Sequence, residues 1–496
     1  MKVLIASFCR WSLISLCLPL LSLQAQLSIP LYTCYDVNEY ELEIKINAET
    51  QRIAGTCRMA FEMKRSSDLL QFDLAESLTI ARIELGSRTL RYDRSGTIVT
   101  VRLPYTMTER DRHSLKIVYG GHPHSENLNR IFSQDGQNQT QIQFKQDLIA
   151  PEAWRPLKQS VVDPVDSMRL GVIYEKGPLI ITNGRQRFQV SEPGGFQKSV
   201  YVTVGPVLPG SLELHIGYFE KLTDIYGSDF GYQELNYFVP AGQNEWGKER
   251  LIQIQQIFSC MESYFGSFPL KPSGMTWVDT GGAYAQEGLD KYGVDPLLAY
   301  ELAGLWWGNH LQATLAEDAW ITESFRTYAS SLVIECRSDT RKALSYLQQL
   351  PEEQKSAMIL HTLRSLTDNE EQWFGACRAI SSTFEDRSLT TEALLDFFQW
   401  KIDVDATHIF QQYLLHPSPP VLEYSILSKG KKLSLAYRWN TSFVDFDMPV
   451  DIFLRNTRER IVPTTEWKTQ SWKGVSAKHF EIDRSFGWFR VQELQL

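Results

Sequence analysis

Residues 300–304 of the chain read YELAG, and eighteen residues separate this stretch from Glu323. Asp295 followed by Pro296 predicts a helix start just upstream, because aspartate caps free backbone N–H groups and proline fits the first helical position. Residues 308–309, Gly-Asn, are typical of a helix end. The sequence therefore predicts one helix that carries the whole YELAG stretch.

The spacing of this stretch is that of a zinc-binding motif, in which two histidines lie four residues apart on one helical face. In His-Glu-x-x-His the two imidazoles hold zinc, the glutamate activates a bound water, and a later glutamate is the third ligand. Here Glu301 and Glu323 stand at the carboxylate positions, but Tyr300 and Gly304 stand at the histidine positions. Because glycine has no side chain and tyrosine is a poor zinc ligand, we predict no bound metal and no other cofactor.

The histidines elsewhere in the chain do not replace the motif. None of the nine histidines is followed by glutamate. His310 lies just past the expected helix end and is predicted to be an ordinary surface or packing residue. His361 lies among apolar residues and is predicted to be a core histidine, and nothing in the sequence converges on His122 and His124.

The first 25 residues are typical of a secretory signal peptide. Lys2 and Arg10 supply positive charge, residues 11–23 are an apolar run, and Ala25 offers a cleavage point. The run is too short for a comfortable transmembrane helix and no second one follows. We therefore expect an exported protein, periplasmic or secreted, without a membrane span after cleavage. A membrane anchor left by failed cleavage is the alternative.

Composition excludes two further classes of protein. Hydrophobic residues make up 43% of the chain and aromatic residues 12%, which is enough for large cores and argues against disorder. The net charge of −9 argues against a general nucleic-acid surface. The sequence contains no C-x-x-C pair, so it does not indicate a structural zinc site. The odd number of cysteines outside the signal peptide allows at most two disulfides, and Cys34 with Cys57 is the only pair close in sequence. Buried free thiols are the favoured state of all five: Cys34, Cys57, Cys260, Cys336 and Cys377.

Periodicity divides the chain into three parts, which predicts a multidomain α+β fold. Residues 26–208 carry short alternating runs, as in residues 40–63, and are predicted to form an N-terminal β domain. Residues 209–416 turn helical: an apolar stripe over residues 251–265, for example, has helical spacing. Residues 417–496 follow a proline-rich break and alternate again, which predicts a small C-terminal β-sandwich.

The order of these parts resembles the aminopeptidase N family of M1 zinc peptidases, which are gluzincins. The resemblance covers nearly the whole chain after the signal peptide and implies a thermolysin-like middle domain. Five segments carry it: Tyr35-Asp36-Val37 through Gly55, Tyr264-Phe265-Gly266, Glu301-Leu302-Ala303 with Trp306-Trp307-Gly308-Asn309, Trp320–Phe325 with Tyr328, and Phe446–Val450.

The departures from this family fall on the chemistry. The motif that holds the substrate's amino group in the family maps to residues 282–286, where Ala285 replaces the glutamate and Tyr284 and Gln286 flank it. The family's oxyanion-binding tyrosine maps to Glu353, where a carboxylate would repel the developing negative charge. The resemblance thus implies a substrate cleft lined by altered residues.

We further expect the former metal pocket to be held together by Arg326. This residue lies one helical turn after Glu323, so it is predicted to pair with that carboxylate while the Tyr300 hydroxyl donates to a carboxylate. The alternative is that Arg326 points to solvent and that Glu301, the former general base, is a relic.

Three functions follow from these features. The first is an exported M1-like protein without catalytic activity that binds a peptide or protein, because several independent catalytic parts are lost. The alternative is a zinc-dependent metallo-aminopeptidase with an atypical site. A third is another enzyme that uses Glu301 and Glu323 as acid and base, although no second signature supports it.

Overall fold

The structure of the protein is a computed structural model. It describes residues 31–495 apart from gaps at 124–127, 136, 146–148, 159–163, 268–274, 279–285, 309–310, 312, 314–315, 352–353, 368, 385–388, 417 and 428–431. The expected signal peptide, residues 1–25, lies outside the described residues. Within them, no helix combines the length and the apolar character needed to cross a membrane.

The N-terminal part is built from three sheets around one core. The strands are β1 (Tyr35–Asn47), β2 (Arg52–Met63), β3 (Ser67–Asp73), β4 (Leu78–Leu85), β5 (Arg88–Thr89), β6 (Tyr92–Ser95), β7 (Ile98–Met107), β8 (Arg112–Gly121), β9 (Phe132–Gln134), β10 (Thr140–Phe144), β11 (Val165–Glu175), β12 (Leu179–Thr182), β13 (Arg185–Glu192), β14 (Phe196–Val207) and β15 (Leu214–Gly217), with the short helix α1 (Leu128–Ile131) before β9. The large sheet has the order β13-β14-β11-β1-β2-β8-β4-β5, and the smaller sheets are β12-β15-β10-β9 and β3-β7-β6.

Strand β1 shows why this sequence forms sheets. Tyr40, Leu42, Ile44 and Ile46 are buried on one face, while the residues between them are exposed. Such alternation places every second side chain in a core, as the sequence predicts. The N-terminal core also includes Leu212, Leu214 and Ile216. The segment that follows residue 208 therefore packs with the β domain, although the sequence assigns it to the middle domain.

The middle part is mainly helical. It contains β16 (Phe219–Ser228), β17 (Gly231–Pro240), α2 (Asn244–Phe265), β18 (Met275–Val278), α3 (Gln286–Tyr292), α4 (Pro296–Ala303), α5 (Ala319–Arg337), α6 (Thr340–Gln349), α7 (Ala357–Leu366), α8 (Glu370–Phe384), α9 (Thr391–Ile402) and α10 (Thr407–Leu415). The three strands form one sheet in the order β16-β17-β18.

The C-terminal part is strand-rich and forms two sheets. Its strands are β19 (Val421–Ile426), β20 (Lys432–Asn440), β21 (Val450–Leu454), β22 (Thr457–Ile461), β23 (Lys468–Lys473), β24 (Phe480–Ile482) and β25 (Arg490–Glu493). The sheets have the orders β23-β20-β19-β25 and β22-β21-β24. Buried residues of this part and of the middle part belong to one continuous hydrophobic core.

A disulfide links two helices of the middle part. Cys260 of α2 and Cys336 of α5 are bonded, with their Cα atoms 6.1 Å apart. The prediction of free thiols is therefore wrong for these two residues. The sequence does not indicate the bond, because 76 residues separate the two cysteines and only the packing of the two helices brings them together. Cys34, Cys57 and Cys377 are free and buried, as the sequence predicts.

Candidate functional site

Helix α4 carries the YELAG stretch and begins where the sequence predicts. The Asp295 carboxylate accepts hydrogen bonds from the backbone N–H groups of Leu297 (3.0 Å) and Leu298 (3.4 Å). Its other oxygen lies 2.8 Å from the Arg250 guanidinium of α2, and both of these side chains are 3% exposed. This buried ion pair fixes the N-terminal end of α4 against α2.

The helix ends earlier than the sequence predicts. It runs from Pro296 to Ala303, and Gly304 is its C-terminal cap. The Gly304 N–H donates to the Glu301 carbonyl at 3.1 Å, and Trp306 N–H donates to the Ala303 carbonyl at 3.1 Å. These bonds reach back three residues instead of four, which tightens the last turn. The prediction that all of YELAG lies within the helix is therefore wrong for Gly304.

Two buried tryptophans explain why the chain turns here. Trp306 and Trp307 are fully buried, and Trp307 stacks on Phe325 of α5 with ring centroids 3.9 Å apart. The turn after Ala303 brings both indoles into the core, where burial of a large aromatic ring is strongly favourable. This packing holds the end of α4 against the first turns of α5, which carry Glu323 and Arg326.

Tyr300 and Glu323 are hydrogen-bonded across the two helices. The Tyr300 hydroxyl donates to the Glu323 carboxylate at 2.6 Å. Burial raises the pKa of Tyr300 well above its usual range, and the hydrogen bond to Glu323 raises it further, against the opposing effect of the Arg326 charge. The tyrosine is therefore a neutral donor to a carboxylate, as the sequence analysis expects.

Arg326 does not make the ion pair that the sequence predicts. Among the ion pairs of the described residues, none joins Arg326 to Glu323. The guanidinium carbon lies 4.0 Å from the centre of the Tyr300 ring, and Nε donates to the Tyr300 carbonyl at 3.3 Å. That carbonyl is in the last turn of α4, where the tightened turn leaves it without its usual helical donor. Arg326 therefore caps the C-terminal end of the helix.

The guanidinium also occupies the space beside Gly304. A Cβ atom built on Gly304 would lie 2.9 Å from the Glu301 carbonyl oxygen and 3.4 Å from both Cζ and Nε of Arg326. A longer side chain would have to displace the arginine. A positive charge thus borders the position that a second histidine would need for a zinc ion.

These residues do not fit a zinc ion. A catalytic zinc takes three protein ligands, usually with at least one histidine. Glu323 already accepts a hydrogen bond from Tyr300, and the place of one histidine holds the cation of Arg326. Within the described part of the chain, no group of three or more His, Cys, Asp and Glu side chains could hold a metal. Glu301, half-buried on α4, remains from the expected set.

Part of the expected substrate cleft falls in gaps. Tyr284, Ala285 and Glu353 lie outside the described residues, as do His310 and His124. Gln286 is the first residue of α3. These assignments stay predictions.

Two of the remaining histidines have structural roles. His361 Nε2 lies 2.8 Å from the Ser485 carbonyl, and burial lowers the pKa of this histidine. It is half-buried on α7 and bonded to the backbone of the C-terminal part, so it lies at the edge of the core that the sequence predicts for it. The ring nitrogens of His122 lie within hydrogen-bond distance of the Arg52 side chain and of the Gln51 carbonyl.

The sequence analysis missed a buried carboxylate next to the site helices. Glu262 of α2 accepts hydrogen bonds from Tyr226 Oη at 2.5 Å and Ser228 Oγ at 3.1 Å, which anchors the hairpin of β16 and β17 to α2. The sequence feature that could have indicated this residue is its position directly after Met261, within the apolar stripe of α2. Burial and the bond to Glu262 raise the pKa of Tyr226, so this contact is a structural anchor.

Comparison with known proteins bears on the fold. No protein-family model matches the chain, and no curated protein matches it. A mutant of an M1 zinc metallopeptidase from Deinococcus radiodurans, crystallised with a Tyr-Ser-Ala substrate, is similar with a TM-score of 0.59 and 18% sequence identity. The likeness covers 77% of this chain and 94% of that chain. The chain therefore has the fold of an M1 zinc metallopeptidase, with the N-terminal β domain, helical middle and strand-rich C-terminal part that its sequence predicts.

Proposed function

We propose that this protein is an exported, non-catalytic member of the M1 fold that binds a peptide or a protein. One observation carries the proposal: the Arg326 guanidinium lies on the Tyr300 ring and fills the space beside Gly304. The substitutions at positions 300 and 304 are thus matched by a third residue that occupies the vacated volume. A pocket rebuilt in this way favours a stable fold over zinc chemistry.

The charges of the pocket support a structural role for its remaining acid. A carboxylate in a half-buried site is stabilised by hydrogen bonds that it accepts and by nearby positive charge. Glu323 receives the first from Tyr300 at 2.6 Å. Arg326 places its charge over the face of the same ring. The three side chains therefore form a self-consistent set that needs no metal to balance Glu323.

The same contacts argue against acid–base chemistry by Glu301 and Glu323. A catalytic base must be within reach of the proton it removes, but Glu323 is engaged by a neutral tyrosine. Tyr300 itself is a weak acid here, because burial and the carboxylate raise its pKa. It is held as a donor to Glu323 instead of being poised to transfer a proton.

A metallo-aminopeptidase with an atypical site is the second candidate. The likeness to a metallopeptidase crystallised with a tripeptide substrate favours it. It would require a metal held by Glu301 and Glu323 with Arg326 moved away. The cost of that rearrangement includes the cation–π contact and the helix cap of Arg326, so we rank this function second.

The proposed export is supported by the disulfide between α2 and α5. Structural disulfides persist in oxidising compartments and are rare in reducing ones. Cys260, which is buried in α2, forms such a bond with Cys336, which is exposed on α5. Together with the signal-like residues 1–25, this favours a periplasmic or secreted protein. Fractionation of cells and detection of the shortened N-terminus by mass spectrometry would test it.

Metal content and peptide turnover would test the proposed function. The purified protein is analysed for zinc, then incubated with Tyr-Ser-Ala and with aminoacyl fluorogenic substrates, with and without added zinc. We expect no stoichiometric zinc and no hydrolysis, and we expect the Glu301→Gln variant to behave as wild type. Titration calorimetry with Tyr-Ser-Ala then reports whether the cleft binds a peptide without cleaving it. Hydrolysis that the Glu301→Gln change abolishes would overturn the proposal in favour of the second candidate.

A further inference from the structure

Strand β13 forms one edge of the large N-terminal sheet and is exposed on both faces. Within the described residues its strand partner is β14, which it meets in antiparallel register. Residues 185–191 are all exposed, and Glu192 is half-buried. Two apolar side chains lie on this strand, Phe188 and Val190, with exposures of 44% and 45%. The strand therefore presents apolar side chains and a free backbone edge together.

This edge lacks most of the features that protect sheet edges. Proteins shorten exposed edge strands, place proline in them, or bend them with bulges, because the unpaired N–H and C=O groups otherwise recruit another strand. The opposite edge of the same sheet, β5, has only two residues. Strand β13 has eight residues and no proline. Its one irregularity lies between Gln186 and Phe188, and residues 188–192 follow in regular register with β14.

We propose that β13 pairs antiparallel with β13 of a second copy of this chain, across a two-fold axis at Gln189. A two-fold axis perpendicular to the sheet keeps each face continuous, so residues of equal parity stand opposite each other. With the axis at Gln189, Phe188 of each copy faces Val190 of the other. Aromatic and β-branched side chains form favourable cross-strand pairs, and this register makes that pair twice.

Charge also favours a second copy over an unrelated strand. Arg185 and Arg187 lie at one end of β13, and Glu192 lies at the other. Antiparallel self-pairing sets the basic end of each strand beside the acidic end of its partner. Because the irregularity before Phe188 takes one residue out of step, Arg185 stands opposite Glu192 of the partner subunit and Gln186 opposite Ser191 of the partner subunit. No like charges stand directly opposite each other in this register.

The size of the contact limits its strength. A stable interface commonly takes about 20–30 residues from each partner, and β13 supplies eight. The dimer is therefore weak and dependent on concentration. Sedimentation velocity of the purified protein over a wide concentration range is expected to show reversible dimerisation. A strictly monomeric protein at the highest concentration would overturn the inference.

Two charge variants test the register. Gln189→Lys places two lysines opposite each other on the axis, and like charges directly opposite are destabilising by up to about 1 kcal/mol, so the dissociation constant rises about fivefold. Gln186→Lys is the matched control, because the same change on the same strand and face places lysine opposite the uncharged Ser191 of the partner subunit. It is expected to leave the dimer unchanged or tighter. A dimer that both variants leave untouched would use another surface and contradict the proposal.

Cysteine cross-linking gives an independent result. Gln189→Cys brings two thiols to opposite positions, where Cβ atoms in antiparallel strands are about 5 Å apart and mild oxidation can bridge them. Ser191→Cys sets its two thiols about 13 Å apart, four residues out of register. The described free cysteines are buried and do not compete. Equal cross-linking of the two variants would refute this register. A monomer whose capture of an extended peptide is lost in Gln189→Lys would assign the edge to peptide binding and overturn self-pairing.

Discussion

The two ends of helix α4 are each closed by an arginine, but in different ways. At the N-terminal end, Arg250 meets the Asp295 carboxylate, and both side chains are buried. At the C-terminal end, Arg326 meets an aromatic ring and a backbone carbonyl, while the neighbouring carboxylate of Glu323 takes its hydrogen bond from Tyr300.

The N-terminal contact is a buried ion pair, whereas the C-terminal contact is a half-buried cation on an aromatic ring. A buried ion pair leaves an uncompensated charge when one partner is removed. A cation on a ring at a helix end adds a smaller stabilisation, from the ring quadrupole and from the negative end of the helix dipole. We therefore expect the N-terminal end to tolerate little change and the C-terminal end to accept substitution.

The largest effect expected at the C-terminal end is a gain of zinc. Tyr300→His with Gly304→His restores both imidazole positions, but Arg326 fills the space that the second histidine needs. We expect this double variant to bind no stoichiometric zinc. The triple variant, which adds Arg326→Ala, is expected to bind one zinc ion per chain. Elemental analysis after dialysis measures the zinc content of both. Neither is expected to hydrolyse peptides, because the family resemblance predicts that Ala285 and Glu353 replace other catalytic residues. Equal zinc content in both variants would show that Arg326 is no obstacle.

The N-terminal end is expected to show the largest loss of stability. Arg250→Met leaves the buried Asp295 carboxylate without its cation, and such a loss typically costs about 3–5 kcal/mol. Urea unfolding followed by circular dichroism measures the free energy of unfolding. Lys248→Met is the matched control on the same helix, since Lys248 makes only a solvent-exposed pair with Glu245 and such pairs contribute little. If both variants unfolded alike, the comparison of the two ends would fail.

Removal of the Tyr300 hydroxyl is expected to have a smaller effect. Tyr300→Phe keeps the ring beneath Arg326 but leaves Glu323 without its donor, which costs about 1–3 kcal/mol for a buried group and less for one that is partly exposed. Thermal unfolding compares it with Tyr232→Phe, whose ring is 81% exposed and whose change is expected to be neutral. A neutral Tyr300→Phe would indicate that water satisfies Glu323.

The pH dependence of the stability difference between wild type and Tyr300→Phe gives the smallest expected signal. The fold raises the pKa of Tyr300 above its usual value of 10.0. A group with a raised pKa stabilises the fold fully below the unfolded value and loses that contribution as pH rises above it. The stability gap between wild type and Tyr300→Phe should therefore be constant below pH 9 and shrink above about pH 10. A gap that widens at high pH would contradict the assigned protonation state.

Much of this arrangement could be predicted from sequence, because local rules govern it. The Asp295-Pro296 pair gave the start of α4 through capping, and alternation gave the strands. The donation from Tyr300 to a carboxylate followed from the spacing of two helices in the resembled family. Each inference used residues that are close in sequence or fixed by a known spacing.

The remainder depended on contacts that sequence spacing does not encode. Arg326 was expected to pair with the Glu323 carboxylate one turn away. Its guanidinium instead lies on the Tyr300 ring, in the space beside Gly304, which has no side chain. The early end of α4 depends on where Trp306 and Trp307 find room in the core. The bond between Cys260 and Cys336 depends on two helices packing together.

The core shared by the helical and C-terminal parts has a consequence for how the protein unfolds. Residues from Tyr226 to Ile482 belong to one hydrophobic cluster, whereas the N-terminal cluster is separate. Cooperative units follow continuous cores. Calorimetry should therefore resolve two transitions. Cutting the chain near residue 416 should unfold both of the parts that it separates. The strand-rich end and the helical part thus form one folding unit.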